Sequence, residues 1–469
     1  MTLASTSTNL PDQLLALASK YRGEGPRYTS YPTSPHMRED FSFETLEKAV
    51  KILPVEQHNQ PLSVYTHIPF CESICYYCAC NKVVTGKKRF ATRYLSALSK
   101  ELDIYQTWDL NKRPVTQLHW GGGTPTYLSA SELTELMHLL AQHYVLVRDP
   151  DREYSIEIDP RTVDGRIIAL LKGLGFNRLS LGIQDFDPTV QKAINRVQPY
   201  ERVQELVKEA RAHDFASLSF DLIYGLPHQN VKSFTKTLEQ VVSLSPDRIA
   251  CYNYAHLPHR FLAQRAIDRL TLPNAEQRLK LQQHIDAILR GSGYELVGLD
   301  HYVKKHDPLA TARNDNTLQR NFQGYSLKKA SDMIGLGHSA ISQVGPLMVQ
   351  NEVKLERYYD RIESGNNALY RGLLLSKDDM LRREVIMEIC CSLEFSPKAV
   401  CKKYGQDAES YFKEELKQMH EFEKDGLVYS NNEVFVLTQI GRHFLRQICM
   451  TFDAWLKFTP SNIKYSKII

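Results

Sequence analysis

Cys71, Cys75, Cys78 and Cys80 fall within the ten-residue run Cys71-Glu-Ser-Ile-Cys75-Tyr-Tyr-Cys78-Ala-Cys80. Three of them, in a C-x3-C-x2-C spacing, can bring thiolates to one inorganic centre while leaving a coordination position open. An open position can do chemistry, whereas a closed one usually holds a fold. The competing assignment is a zinc site made of all four cysteines. Structural zinc sites pair two short cysteine knuckles distant in sequence. Cys251, Cys390, Cys391, Cys401 and Cys449 are scattered and supply no second knuckle. The spacing therefore favours an iron–sulfur centre with one iron free for a small chelating molecule.

A second chemical feature is Trp120-Gly121-Gly122-Gly123-Thr124-Pro125. Successive glycines let the backbone approach a ligand and offer N–H and C=O groups to it. Alone, such a run is a tight turn; beside the cysteines it reads as a ligand cradle.

The elements that must position these residues alternate between short strands and longer helices. Strands are expected at Ser63–Ile68, Gln117–Trp120, Tyr154–Asp159, Arg178–Gln184, Ser217–Tyr224, Arg248–Tyr254 and Tyr294–Leu299. Helical spacing lies between them, as in Phe90, Tyr94, Leu98 and Leu102. Such alternation implies parallel strands with crossover helices, an α/β barrel or open sheet. Parallel strands are normally apolar on both faces. Here one face carries Ser63, Tyr65 and His67, then Ser155, Glu157 and Asp159, then Ser180, Gly182 and Gln184, then Ser217, Ser219 and Asp221. A barrel whose lumen holds a polar ligand accounts for this, the alternative being a solvated face of an antiparallel sheet. Function in such barrels collects at the carboxyl ends of the strands.

The chain divides into a Pro-punctuated lead-in at 1–60, with one helical pattern near Phe43–Ile52, a barrel at 61–375, and a smaller, mainly helical domain at 376–469. In the last, Met380–Cys391 and Ala408–Asp425 read as helices and Leu427–Leu437 as a hairpin around Asn431-Asn432. The net charge of +4 over 469 residues is too slight to argue for nucleic acid but suits an anionic ligand. No run approaches the roughly 18 apolar residues of a membrane span, and no secretory signal is visible. The odd cysteine count does not suggest a disulfide framework. A reducing, cytoplasmic setting is expected.

The cysteine run after the first strand and the glycine run after the second resemble the radical S-adenosylmethionine (SAM) enzymes. Within them, Arg27-Tyr-Thr-Ser-Tyr-Pro-Thr33, Cys75-Tyr-Tyr-Cys-Ala-Cys-Asn-Lys82, His119-Trp-Gly-Gly-Gly123, Asp221-Leu-Ile-Tyr-Gly-Leu-Pro227, Arg320-Asn-Phe-Gln-Gly-Tyr325 and Gly335-Leu-Gly-His-Ser-Ala-Ile-Ser342 resemble the oxygen-independent coproporphyrinogen III oxidases (coproporphyrinogen dehydrogenases). The resemblance covers about residues 24–460. It implies an α/β fold, a partial (β/α)6-type barrel with an N-terminal extension closing over the active site and a smaller, mainly helical C-terminal domain.

The resemblance implies that Cys71, Cys75 and Cys78 ligate a [4Fe–4S] cluster, with Cys80 a family-typical residue that is not a ligand. It implies that Tyr65, Gly121, Glu157, Ala255 and Ile341 contact the SAM on the open iron, and that Tyr77, Gly122, Gly123, Gln184, Arg196 and Asp221 form a second SAM site. Strand alternation by itself also places Tyr65, Glu157, Gln184 and Asp221 on the polar face. The implied reaction is oxidative decarboxylation of two propionates of coproporphyrinogen III to vinyl groups, giving protoporphyrinogen IX in haem synthesis, by a 5′-deoxyadenosyl radical. No side chain is singled out as catalytic, the cofactor carrying the chemistry. Arg27, Arg313 and Arg320 are candidates to hold the tetracarboxylate. An electron-donor protein such as a flavodoxin is implied, and a monomer is expected. The alternative is a haem-chaperone-like relative without dehydrogenase activity. Two departures stand out: Cys75-Tyr-Tyr-Cys-Ala-Cys80 where the family often has Cys-Tyr-Phe-Cys-Gly-Cys, and His338 at an often apolar position, as a surface histidine or a residue tuning the pocket.

Overall fold

The computed structural model describes residues 10–41, 44, 48, 60–106, 110, 112–327, 332–459 and 463–468. Six strand–helix units follow one another from residue 62. The strands are β1 (Leu62–Ile68), β2 (Pro114–Gly122), β3 (Glu153–Ile158), β4 (Arg178–Gln184), β5 (Ser217–Tyr224) and β6 (Arg248–Asn253). The helices after them are α1 (Arg89–Tyr105), α2 (Ala130–His143), α3 (Gly165–Gly173), α4 (Tyr200–Ala212), α5 (Val231–Leu244) and α6 (Ala275–Gly291). All six strands run parallel, in chain order across the sheet. Each helix presents an apolar stripe to them. In α1 the buried stripe includes Ala91, Tyr94, Leu95, Leu98, Leu102 and Tyr105, at helical spacing. Burying each leucine fully is worth ~1.5–3 kcal/mol. Ser129 and Glu132 form a capping box that starts α2, and Asn274 and Gln277 one that starts α6.

The sheet's edges differ from expectation. Tyr294–Val297 (β7) is not a seventh parallel strand; it runs antiparallel to β8 (His301–Lys304), which runs antiparallel to β6. The intervening residues 298–300 are too few for a crossover, so a hairpin is forced. On the other side β9 (Asp332–Leu336), unforeseen as a strand, pairs parallel with β1 and continues antiparallel into β10 (Ile341–Val344), β11 (Leu347–Asn351) and β12 (Leu369–Leu374). The hydrogen-bonded path therefore ends at β7 and at β12, and the barrel is partial.

Beyond it, α7 (Lys377–Ser392) and α8 (Lys413–Lys424) pack on a three-stranded sheet of Glu394–Phe395, Val428–Asn431 and Val434–Leu437. The single helix expected at Ala408–Asp425 breaks at Phe412, whose ring is buried edge-on against Phe452. The hairpin turn falls one residue later than expected, on Asn432 and Glu433, both at positive φ. The helical pattern near Phe43–Ile52 lies largely outside the described residues.

Two large cores result. One fills the space between sheet and helices. The other joins Leu14, Leu17, Tyr21, Tyr28 and Tyr31 near the N-terminus to side chains of the C-terminal helices. Tyr28 Oη donates to Asp453 Oδ2 at 2.9 Å, and Glu24–Gly25 pairs with Ser466–Lys467, so both ends of the chain are fastened together.

Candidate functional site

The cysteine run leaves β1 through Phe70–Cys71, a short strand paired with Val83–Val84. That pairing pins the loop at both ends. Between them Tyr76 N–H donates to Ile194 O at 3.0 Å, Asn195 Nδ2 to Ile74 O at 2.7 Å, and Gln264 Nε2 to Tyr77 O at 3.0 Å. The loop is thus held by segments that follow β4 and β6, at the carboxyl ends of the strands.

Cys71, Cys75, Cys78 and Cys80 all line one cavity of about 440 Å³. Thr124 Oγ1 donates to Cys71 Sγ at 3.4 Å. Arg161 Nη2 and Arg196 Nη1 reach Cys75 Sγ at 3.5 and 3.6 Å. Both guanidiniums share Asp159, at 2.6 and 3.0 Å from Oδ2. Burial alone would raise the Asp159 carboxyl, but these arginines outweigh it and hold it below its ordinary value. Burial pushes the Cys71 thiol up to about 11. The hydrogen bond from Cys80 draws Cys78 down to about 6 despite its burial, with Lys82 assisting.

The same cavity is lined by Tyr77, Gly122, Gly123, Glu157, Gln184, Arg196 and Asp221. Glu157 is 43% exposed, and what it faces is this interior space. Its carboxylate sits 3.2 Å from His119 Nε2 and accepts from Gly122 N–H at 3.2 Å. Burial would raise it, yet His119 and Gly122 bring it below the usual carboxylate range. Asp221, hydrogen-bonded by Ser180 Oγ at 3.0 Å, is pushed up to about 6 by burial and by the nearby Glu157. Gln184 ends β4 at φ +65° where the ladder with β5 slips by a residue. A left-handed residue at a bulge re-aims its side chain at the cost of backbone strain.

The remaining candidates lie apart from this lining. Tyr65 lies within the barrel, its ring stacked on His119 and its hydroxyl 3.0 Å from His67 Nδ1. Gly121 packs against Glu157. Ala255 follows β6 on the rim of a neighbouring cavity, and Ile341 opens β10. The glycine run differs from a simple cradle. Gly122 N–H is taken by Glu157 and Gly123 N–H by Ile68 O. A Cβ at Gly123 would meet Pro69 O at 2.7 Å, so that glycine serves close packing of one loop on another.

Toward the amino ends of the strands lies a second space of about 160 Å³, lined by Ser155, Ser180, Ser217, Ser219 and Asp221 among others. The polar face therefore does point into a lumen, and Glu157, Ser180, Asp221 and Tyr252 border both spaces. His338 is not on the surface. It is 1% exposed, edge-on to His67, and burial lowers it to about 3. Arg313 is tied to Glu295 and Leu296 O, each at 2.8 Å. Arg320 reaches Tyr325 Oη at 2.8 Å and Arg27 O at 3.4 Å.

The donor set suits a cubane cluster. Among the described residues no three His, Cys, Asp or Glu side chains close on a single ion position, as a lone tetrahedral zinc would need. A cubane instead spreads its cysteines over different irons, and the thiols here are spread around one cavity with N–H and O–H donors at their sulfurs. Glu157, Gln184, Arg196 and Asp221 face that cavity with groups suited to an amino acid and a ribose. Sequence reasoning missed Arg161, Thr124 and Lys82. Arg161 stands two residues after Asp159 at a strand's carboxyl end, which is the signal that was available.

The model of the radical SAM superfamily matches residues 65–241. The chain is 42% identical over 455 residues to the oxygen-independent coproporphyrinogen III oxidase of Escherichia coli (strain K12), covering 97% of this chain and 98% of that one. It is 37% identical to the protein of the same name from Synechocystis, over 97% of each chain. A solved structure described as coproporphyrinogen III oxidase (HemN) from Escherichia coli, a radical SAM enzyme, superposes with a TM-score of 0.88, covering 94% of this chain and 98% of that one at 42% identity.

Proposed function

The chain belongs to the oxygen-independent coproporphyrinogen III oxidases of the radical SAM superfamily, and from that premise we propose how its residues divide the work. The reaction is the oxidative decarboxylation of two propionates of coproporphyrinogen III to vinyl groups, in haem biosynthesis. A [4Fe–4S] cluster and SAM, when bound, supply hydrogen-atom abstraction from an unactivated propionate C–H, which no side-chain base can achieve.

Cys71, Cys75 and Cys78 hold the cluster. Arg161, Arg196 and Thr124 donate to two of its sulfur ligands, and such bonds help set a cluster's reduction potential. Asp159 keeps the two guanidiniums in place. Glu157, held below the usual carboxylate range, would accept from the amino group of the SAM, with Tyr65, Gly121, Ala255 and Ile341 around that molecule. Gln184, Arg196 and Asp221, with Tyr77, Gly122 and Gly123, make the second SAM site. In this reading the described parts of the lead-in (1–60) and of the C-terminal domain (376–469) serve to close over the barrel of 61–375 and exclude water. We further assign a flavodoxin-like electron donor, a monomeric state and a cytoplasmic setting. Among the described residues no helix is long and apolar enough to cross a membrane.

The observation that carries this reading is the single cavity shared by the thiols and by Glu157, Gln184, Arg196 and Asp221. Anaerobic turnover tests it. Reconstituted protein with reductant, SAM and coproporphyrinogen III is expected to yield protoporphyrinogen IX. Release of 5′-deoxyadenosine without consumption of the porphyrinogen would instead mark a chaperone-like relative.

A further inference from the structure

A cavity of about 600 Å³ opens beside the site just described, beyond the carboxyl end of β6. It is lined by residues from the stretches 24–27, 253–259, 269–278 and 464–467, three of which contribute the cations Arg27, Arg269, Arg278, Lys464 and Lys467, with Glu24 the one carboxylate in its lining. Several buried arginines elsewhere sit against carboxylates, as at Arg113–Asp332, Arg248–Asp307 and Arg382–Glu415. Among the described residues no carboxylate lies within ion-pair distance of Arg269, Arg278, Lys464 or Lys467, and the buried Nε of Arg278 has no hydrogen-bond partner. The N-terminus of the seventeen-residue α6 opens at Asn274 and Ala275 in the same wall, adding its positive dipole end. Gathering like charges costs energy unless an anion is to be received.

The location says which anion. Ala255 lines this cavity, and Gln264, 1% exposed, donates through Nε2 to Ala255 O at 3.1 Å and to Tyr77 O at 3.0 Å. One side chain thus spans the basic cavity and the loop between Cys75 and Cys78. A molecule anchored by its acids here reaches the cysteine centre with its other end. The paired terminal strands Glu24–Gly25 and Ser466–Lys467, locked by Arg446 to Pro26 O at 2.9 Å and Lys467 O at 2.8 Å, carry Arg27 and Lys467 into place.

Resting on the function proposed above, we propose that this basic cavity is the carboxylate subsite that holds the propionates of the tetrapyrrole not undergoing reaction. It positions the macrocycle and takes no part in bond breaking.

The test uses the reconstituted holoenzyme under anaerobic conditions, with coproporphyrin III fluorescence as the binding probe and coproporphyrinogen III turnover as the second readout. Arg278→Gln is expected to weaken coproporphyrin III binding and raise KM by about tenfold, with a smaller effect on kcat. The double variant Lys464→Gln/Lys467→Gln, at exposed positions that do not threaten folding, is expected to raise both by about threefold at low salt, and less as ionic strength rises. Iron content and Tm report folding. If both variants bind and turn over within twofold of the parent, the subsite is overturned while the activity stands. If the parent binds coproporphyrin III and both variants bind it more weakly, yet the porphyrinogen is never consumed, the activity falls and the subsite stands.

Discussion

Nine cysteines fall into two main settings, and the contrast separates chemistry from packing. In the loop, Cys71, Cys75 and Cys78 face a cavity, with Thr124, Arg161, Arg196 and the backbone of Cys80 donating to their sulfurs. In the C-terminal core, Cys390, Cys391, Cys401 and Cys449 are at most 3% exposed and sit among Val385, Ile389, Phe412 and Ile448. Burial drives the thiols of Cys391, Cys401 and Cys449 upward. Cys390 is the exception, drawn down by its contact with Cys449, 3.7 Å between sulfurs. Thiols gathered around a cavity with N–H and O–H donors at their sulfurs are placed for chemistry, whereas thiols among hydrocarbon behave as small hydrophobes.

The sharpest break of this contrast is substitution in the loop. Cys71→Ser, Cys75→Ser and Cys78→Ser are each expected to lose bound iron and all turnover, read as iron per chain after anaerobic reconstitution. A variant that keeps a full complement of iron would remove that cysteine from the ligand set.

Next comes the cationic shell. Arg196 is buried against Asp159, so Arg196→Gln leaves that carboxylate with Arg161 alone. Breaking one partner from a buried pair costs about 3 kcal/mol, measurable by denaturant unfolding, and the cluster potential is expected to shift. Arg161→Gln should cost less, since 22% of that side chain is exposed. Equal losses would mean that the two arginines act as one unit. In the core the expected effects are smaller still and leave iron untouched. Cys449→Ala should cost about 1 kcal/mol from a small cavity, and Cys449→Ser ~1–3 kcal/mol because its hydroxyl enters an apolar site. Serine outperforming alanine there would show that the site is not the apolar core described.

Much of this was legible in the sequence because its signals are local. Period-two polarity placed Glu157, Ser180 and Asp221 in the lumen, and the strands at Arg178–Gln184 and Ser217–Tyr224 needed no correction. What escaped depends on residues meeting from afar. The strand Asp332–Leu336 is five residues long and pairs with β1, some 270 residues earlier, a partnership no local period announces. His338 looked solvent-tolerant by type, yet Glu101, accepting from Gly337 N–H at 2.8 Å, and Tyr94 Oη, 3.0 Å from His338 N, draw that segment inside. The basic cavity needs residues from 24 to 467, which only the fold assembles.

Cys80 lies on the boundary of the comparison and gives its finest test. It lines the same cavity as Cys71, Cys75 and Cys78, and its backbone N–H donates to Cys78 Sγ at 3.4 Å. A residue that supports a ligand through its main chain and a side-chain hydrogen bond is replaceable by another small donor. Cys80→Ser keeps both, so iron per chain should match the parent and turnover should fall by no more than about twofold. Cys80→Ala removes the side-chain donor alone and should shift the cluster potential while sparing its iron, since hydrogen bonds to the sulfurs help set that potential. Loss of the cluster in the serine variant would make Cys80 a ligand, and the loop would then no longer leave an iron open.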